Sequence, residues 1–120
     1  LIEENKNKML FGRLPDSTSV LRRLAFGSCS SQDKPLGYWD TVASLLPDVT
    51  ILTGDNVYAA CEEEMCDGLR MAYMSLANHP SFIGAKGRLP MIETMNDQDY
   101  GAEDCDEENP FKDAAKWLFL

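Results

Sequence analysis

The chain has 120 residues, 44% hydrophobic and 26% charged, which fits one small globular domain and excludes a disordered or collagen-like chain. With 11 Lys plus Arg against 20 Asp plus Glu, the formal net charge is −9, which argues against nucleic-acid binding by phosphate neutralisation. No apolar run reaches the roughly 18 residues of a membrane span, and no apolar signal-peptide core stands at the start. The first residue is Leu1 rather than Met, so a processed or trimmed chain is expected, any address label having been removed.

Residues 1–19 read as an amino-terminal extension, polar and rich in Lys and Glu up to Leu14 and closed by a turn at Pro15-Asp16-Ser17-Thr18-Ser19. The domain then occupies residues 20–120. Its first strand is expected over residues 20–26, followed by a small-residue loop, Gly27-Ser28-Cys29-Ser30-Ser31. Trp39, Val42, Leu45 and Leu46 recur at helical spacing, which predicts a helix over residues 35–46 stopped by Pro47. Val49 to Leu52 is β-branched and apolar enough for a buried central strand, and Gly54 ends it.

Beyond Tyr58 an acidic loop carries Cys61 and Cys66. A helix is predicted over residues 69–77, with Leu69, Tyr73 and Leu76 on one face and Asn78-His79-Pro80 as its end. His79 reads as a surface or capping residue at that end rather than a metal ligand. A third strand is expected over residues 89–95, then a polar loop, Asn96 to Gly101. Glu103 to Glu108 reads as a solvated acidic loop, lacking the alternating ligands and glycine of an EF-hand. Residues 111–120 close the pattern with a helix carrying Ala114, Ala115, Trp117 and Leu118. It is read as a core helix, or as a docking face for a protein partner if no other cover exists.

Strands separated by helices predict an α/β fold with a mostly parallel sheet, whose polar loops gather at the strands' carboxyl ends, where such sheets bind ligands. The loop after the central strand offers Asp55 and Tyr58, both oxygen donors. An ionised phenol favours a highly charged metal such as ferric iron, and a carboxylate beside it suits a centre for phosphoryl chemistry. The plainer reading is a Gly-Asp-Asn turn with Tyr58 as a packed aromatic. Cys29, taken alone, is more often an inert buried thiol. Two of Cys61, Cys66 and Cys105 could pair in an oxidising compartment, or all could be free thiols; spacing leaves both open.

The order Phe26-Gly27-Ser28-Cys29-Ser30, Pro47-Asp48, Gly54-Asp55-Asn56-Val57-Tyr58, Leu69-Arg70 with Tyr73, and Asp97-Gln98-Asp99-Tyr100-Gly101 resembles the amino-terminal half of the catalytic domain of alkaline phosphatase D (PhoD-like) enzymes. These belong to the calcineurin-like metallophosphoesterase superfamily. The resemblance spans residues 24–120, and Asp104, Pro110 and Lys112 continue it. It implies the first half of a four-layer sandwich and hydrolysis of phosphate esters at a dinuclear site by in-line attack of water. Cys29, Asp55 and Tyr58 would hold iron, with Asp55 bridging to a second metal, which resembles calcium, held by Asp97. Asn56 would position phosphate. The family's export or residence in an organelle would follow.

This chain departs from the pattern at Met95-Asn96-Asp97-Gln98-Asp99, where relatives read Trp-Asp-Asp-His-Asp. Gln98 stands where they carry a histidine, and a glutamine neither bears positive charge nor transfers a proton at neutral pH. Relatives also draw metal-binding histidines from a carboxyl-terminal half. The chain alone is therefore expected to be inactive. The rival reading is a degenerate relative that serves, without metals, as a structural or interaction subunit of a larger complex.

Overall fold

The structure, a computed structural model, describes residues 12–106 and 108–120. Most of the expected extension, residues 1–11, lies outside the described residues, as does Glu107 of the acidic run. The organising element is β2, Val49–Leu52, whose β-branched side chains suit a strand packed on both faces. Strand β1, Leu24–Gly27, and strand β3, Met91–Glu93, pair with it in parallel on either side, in the order β1-β2-β3. The register sets Ala25 beside Thr50 and Thr50 beside Met91. The expected α/β class, a three-stranded parallel sheet with flanking helices, is what the chain forms.

β1 is shorter at its start than the 20–26 pattern implies, for a local reason. The amides of Arg22 and Arg23 donate to the Asp48 carboxylate, at 2.7 and 2.8 Å, instead of joining a ladder. Those two N–H groups hold Asp48 below its usual carboxylate range. Val20 and Leu21 are left exposed.

Helix α1 is Tyr38–Ser44, and only Trp39 and Ala43 of it are buried. Leu45 and Leu46 are exposed, contrary to the amphipathic reading, because Leu46 takes a left-handed φ of 46° and turns the chain out of the helix before Pro47. Helix α2, Asp67–Asn78, buries Leu69, Ala72 and Leu76, one stripe at helical spacing. His79 then serves as a joint, since α3, Pro80–Lys86, starts directly after it with Pro80 in the first turn. The sequence pattern read only a helix end there. His79 stands at the C-cap of α2, its backbone N–H donating to the Leu76 carbonyl, and at the N-cap of α3, to which its side chain makes no capping hydrogen bond.

Trp39 meets Phe82 edge-on at 5.2 Å, seating α1 against α3. Helix α4, Lys112–Phe119, buries Ala115, and its Phe119 lies 6.3 Å from the ring of Tyr73 on α2. Trp117 is 81% exposed, which corrects its assignment to the core. Its indole points away from the cluster that Ala114, Ala115 and Leu118 join.

The helices cover the sheet face that carries Leu52 and Met91. On the other face Leu24, Phe26 and Ile92 are exposed, Phe26 by 82%. A half-buried ion pair, Lys86 Nζ to Glu93 Oε1 at 2.9 Å, ties α3 to β3. Among the described residues no helix is long and apolar enough to cross a membrane.

Candidate metal centre

The loops leaving β1 and β2 are zipped together by backbone bonds. Thr53 donates to the Gly27 carbonyl at 2.9 Å, Cys29 to that of Gly54 at 3.2 Å, and Ser30 to that of Asp55 at 2.9 Å. Gly54 has φ +107°, and a Cβ there would lie 2.4 Å from the Asn96 Cβ, so only glycine lets the loop after β2 approach the loop after β3. Cys29 and Asp55 follow with φ of 59° and 53°, a left-handed geometry costing a non-glycine residue roughly 1 kcal/mol or more.

This strain turns both side chains to one point. The Cys29 Sγ lies 3.5 Å, and the Tyr58 hydroxyl 3.4 Å, from Asp55 Oδ2, both in donor positions. Tyr58 is fixed by Gln32, whose Oε1 accepts from the Tyr58 amide at 2.9 Å and whose Nε2 donates to its carbonyl at 2.8 Å. Gln32 imitates a strand neighbour. Nothing in the sequence pattern had singled it out. The other Asp55 oxygen, Oδ1, is buried without a hydrogen-bond partner.

The Tyr58 phenol is pushed well above its usual range, first by the hydrogen bond to Cys29, then by burial and by the charge of Asp55. All three favour the neutral phenol while no cation is present. Cys29 is exposed and free, so the inert buried thiol is not what the fold makes of it. Among the described residues no three His, Cys, Asp or Glu side chains gather as a metal site. The cluster owes its third donor to a phenol. A thiol and a phenol against one oxygen of a carboxylate whose other oxygen is unpartnered form a donor set that fits iron.

The other expected residues are placed differently. Asp97 is half-buried, and its Oδ2 accepts from the Asp104 amide at 2.8 Å. It offers one carboxylate toward the six to eight oxygens that calcium takes. Gln98 lies in the single 3-10 turn Asp97–Tyr100, half-buried, its carbonyl accepting from Gly101 at 2.9 Å. Asn56 is buried, and its side-chain Nδ2 donates to the Thr94 carbonyl at 2.8 Å and to Asp99 Oδ2 at 3.2 Å. These bonds join the loops after β2 and β3.

Their hub is Asp99, which sequence reasoning passed over. It is fully buried. Oδ1 accepts from the Asn56 amide at 2.9 Å and the Tyr73 hydroxyl at 2.8 Å, and Oδ2 also accepts from the Asn96 amide at 3.0 Å. The signal was present as a capping box, Asn96 followed three residues later by an acid. Burial, with the charge and hydrogen bond of Asp99, pushes the Tyr73 phenol far above its usual range.

Of the three cysteines left open, Cys61 and Cys66 form the disulfide, their Cα atoms 4.5 Å apart. Cys105 is free and its sulfur accepts from Asn109 at 2.5 Å. Gly101, at φ +89°, packs on Cys61, and the Cys61 amide donates to the Gly101 carbonyl at 3.0 Å. The bridge thus steadies the polar loop after β3. Among known proteins, no family model, curated sequence or solved structure matches the chain.

Proposed function

We propose that the chain supplies the iron-binding part of a PhoD-like phosphoesterase site and corresponds to the first half of that family's sandwich. The observation that carries this is the convergence of Cys29 and Tyr58 on Asp55 Oδ2, while the other Asp55 oxygen, Oδ1, is buried and unpartnered. Strained non-glycine backbone at Cys29 and Asp55 supports it, since such strain gathers at functional sites. Iron held there supplies Lewis-acid polarisation of a phosphoryl oxygen. The residues' own part is to hold the cation: Asp55 by its carboxylate, Tyr58 and Cys29 after each loses a proton. The Cys61–Cys66 bridge fits an oxidising compartment.

The test is ferric iron titration of the purified chain, read by bound metal and visible absorption. One equivalent with a phenolate-to-iron band is expected, with the band lost in Tyr58→Phe and binding lost in Asp55→Asn. Equal iron uptake by the chain and by Asp55→Asn would sink the proposal.

A second reading, a non-catalytic interaction subunit, is favoured by Gln98 and by the exposed apolar sheet face around Phe26. Iron binding with no hydrolysis of an aryl phosphate, unchanged in Gln98→His, would support it over catalysis.

A further inference from the structure

Cys29 and Asp55 are placed by backbone: each takes a left-handed turn, the Cys29 amide donates to the Gly54 carbonyl, and the Asp55 carbonyl accepts from Ser30. Tyr58 has neither support. Among the described residues no backbone group bonds to its amide or its carbonyl. Its hydroxyl meets Asp55 Oδ2 at 3.4 Å, longer than an ordinary hydroxyl hydrogen bond, and so does little to hold the ring.

Gln32 fills that gap. Its Oε1 accepts from the Tyr58 amide at 2.9 Å and its Nε2 donates to the Tyr58 carbonyl at 2.8 Å. The second Nε2 proton goes to Asp33 Oδ2 at 3.0 Å. Flipped, the amide would set an amino group against the Tyr58 N–H and its oxygen against two acceptors, so one orientation alone satisfies all three bonds. Gln32 stands three residues after Cys29 on the same loop. The loop that carries the thiol to Asp55 thereby also carries the clamp on Tyr58.

We propose that Gln32 is a positioning residue for iron: by clamping the Tyr58 backbone it holds the phenol where it joins Cys29 and Asp55 on one cation. This rests on the iron-binding reading above and adds to it the residue that sets the third donor.

The test is ferric iron titration of the chain, of Gln32→Met, of Tyr58→Phe and of the double variant. Affinity and the phenolate-to-iron band are read, with urea unfolding of the metal-free chains alongside. Methionine keeps the length of the side chain and removes its amide. Gln32→Met should weaken iron about tenfold, the equivalent of about 1.4 kcal/mol and within the reach of two neutral hydrogen bonds. It should also weaken or shift the band. In the Tyr58→Phe chain the same substitution should leave affinity unchanged, because the clamp then holds a ring without an oxygen. Gln32→Glu keeps the acceptor and drops the donor, so it should retain part of the coupling to Tyr58; it repeats the comparison if Gln32→Met does not fold. Equal weakening with and without the Tyr58 hydroxyl, the band of the bound fraction intact, would make Gln32 merely structural and overturn the proposal. Unchanged affinity and band in Gln32→Met would overturn it too, leaving the iron-binding reading in place. No iron uptake by the parent chain, or uptake without the band, would remove both.

Discussion

Replacing Asp99 by asparagine tests whether the loops after β2 and β3 are held by one carboxylate. Four hydrogen bonds arrive from three residues, two on each oxygen: Asn56 N and Tyr73 Oη on Oδ1, Asn56 Nδ2 and Asn96 N on Oδ2. An asparagine side chain turns an amino group toward two of these donors in either orientation. Each bond to a charged acceptor contributes about 1.5–3 kcal/mol, so two lost bonds amount to about 3–6 kcal/mol. The neutral amide recovers part of that, because burying a charge is itself costly.

A net loss of about 3 kcal/mol is expected for Asp99→Asn, against a total stability of about 5–15 kcal/mol. The assay is urea unfolding followed by tryptophan fluorescence. With a slope of about 1–3 kcal/mol per molar, the midpoint should fall by at least about 1 M. Tyr73→Phe removes one donor and should cost about half as much. A midpoint within about 0.3 M of the parent, at unchanged slope, would show that the loops are held by other means.

Three further outcomes follow from the same geometry. Gly54→Ala should cost about 2 kcal/mol or more in the same urea assay, since φ +107° and a contact 2.4 Å from the Asn96 Cβ penalise any side chain. Reducing the Cys61–Cys66 bridge opens the short loop it closes and should cost about 2 kcal/mol, from a sequence separation of 5 in the chain-entropy relation, read as a lower melting temperature with reductant. At alkaline pH, phenolate absorbance from Tyr73 and Tyr58 should emerge only above the usual tyrosine range. Both phenols are raised in the folded chain, so their stabilisation is complete below about pH 10, the unfolded value, and is lost as pH climbs through the folded ones. Tyr73→Phe should flatten that loss.

What the sequence made legible was the skeleton set by strong local signals. The run Val49 to Leu52, β-branched and apolar, read as a buried strand and is one, and Leu69, Tyr73 and Leu76 at helical spacing did form the inner side of a helix. The approach of Cys29, Asp55 and Tyr58 was legible only through the order of motifs, since a left-handed φ at Cys29 or Asp55 leaves no mark in composition. Helix α3 was missed because Pro80 was taken as a stop, although proline is equally at home in a first helical turn. Gln32 and Asp99 stayed hidden for another reason. Their importance comes from partners 26 and 43 residues away, and no window along the chain contains both ends.

Asp55 and Asp99 follow parallel strands, and their surroundings separate a site from a scaffold. Asp99 has both oxygens fully engaged, on backbone that binds two loops. Asp55 sits on strained backbone with Oδ1 unpartnered, and its other oxygen meets only long contacts to a thiol and a phenol. Folding gains little from such a residue. Asp55→Asn should therefore leave stability within about 0.5 kcal/mol of the parent, the range of substitutions that break no structural feature, because asparagine tolerates the left-handed conformation and still accepts from Cys29 and Tyr58. The same substitution removes the anionic donor on which the proposed iron binding depends. Unchanged urea stability with lost iron uptake, beside a destabilised Asp99→Asn, is the combination expected of a site kept at the expense of stability. If instead the two variants unfold at the same reduced midpoint, Asp55 is scaffold as well, and the metal centre loses the physical contrast on which it stands.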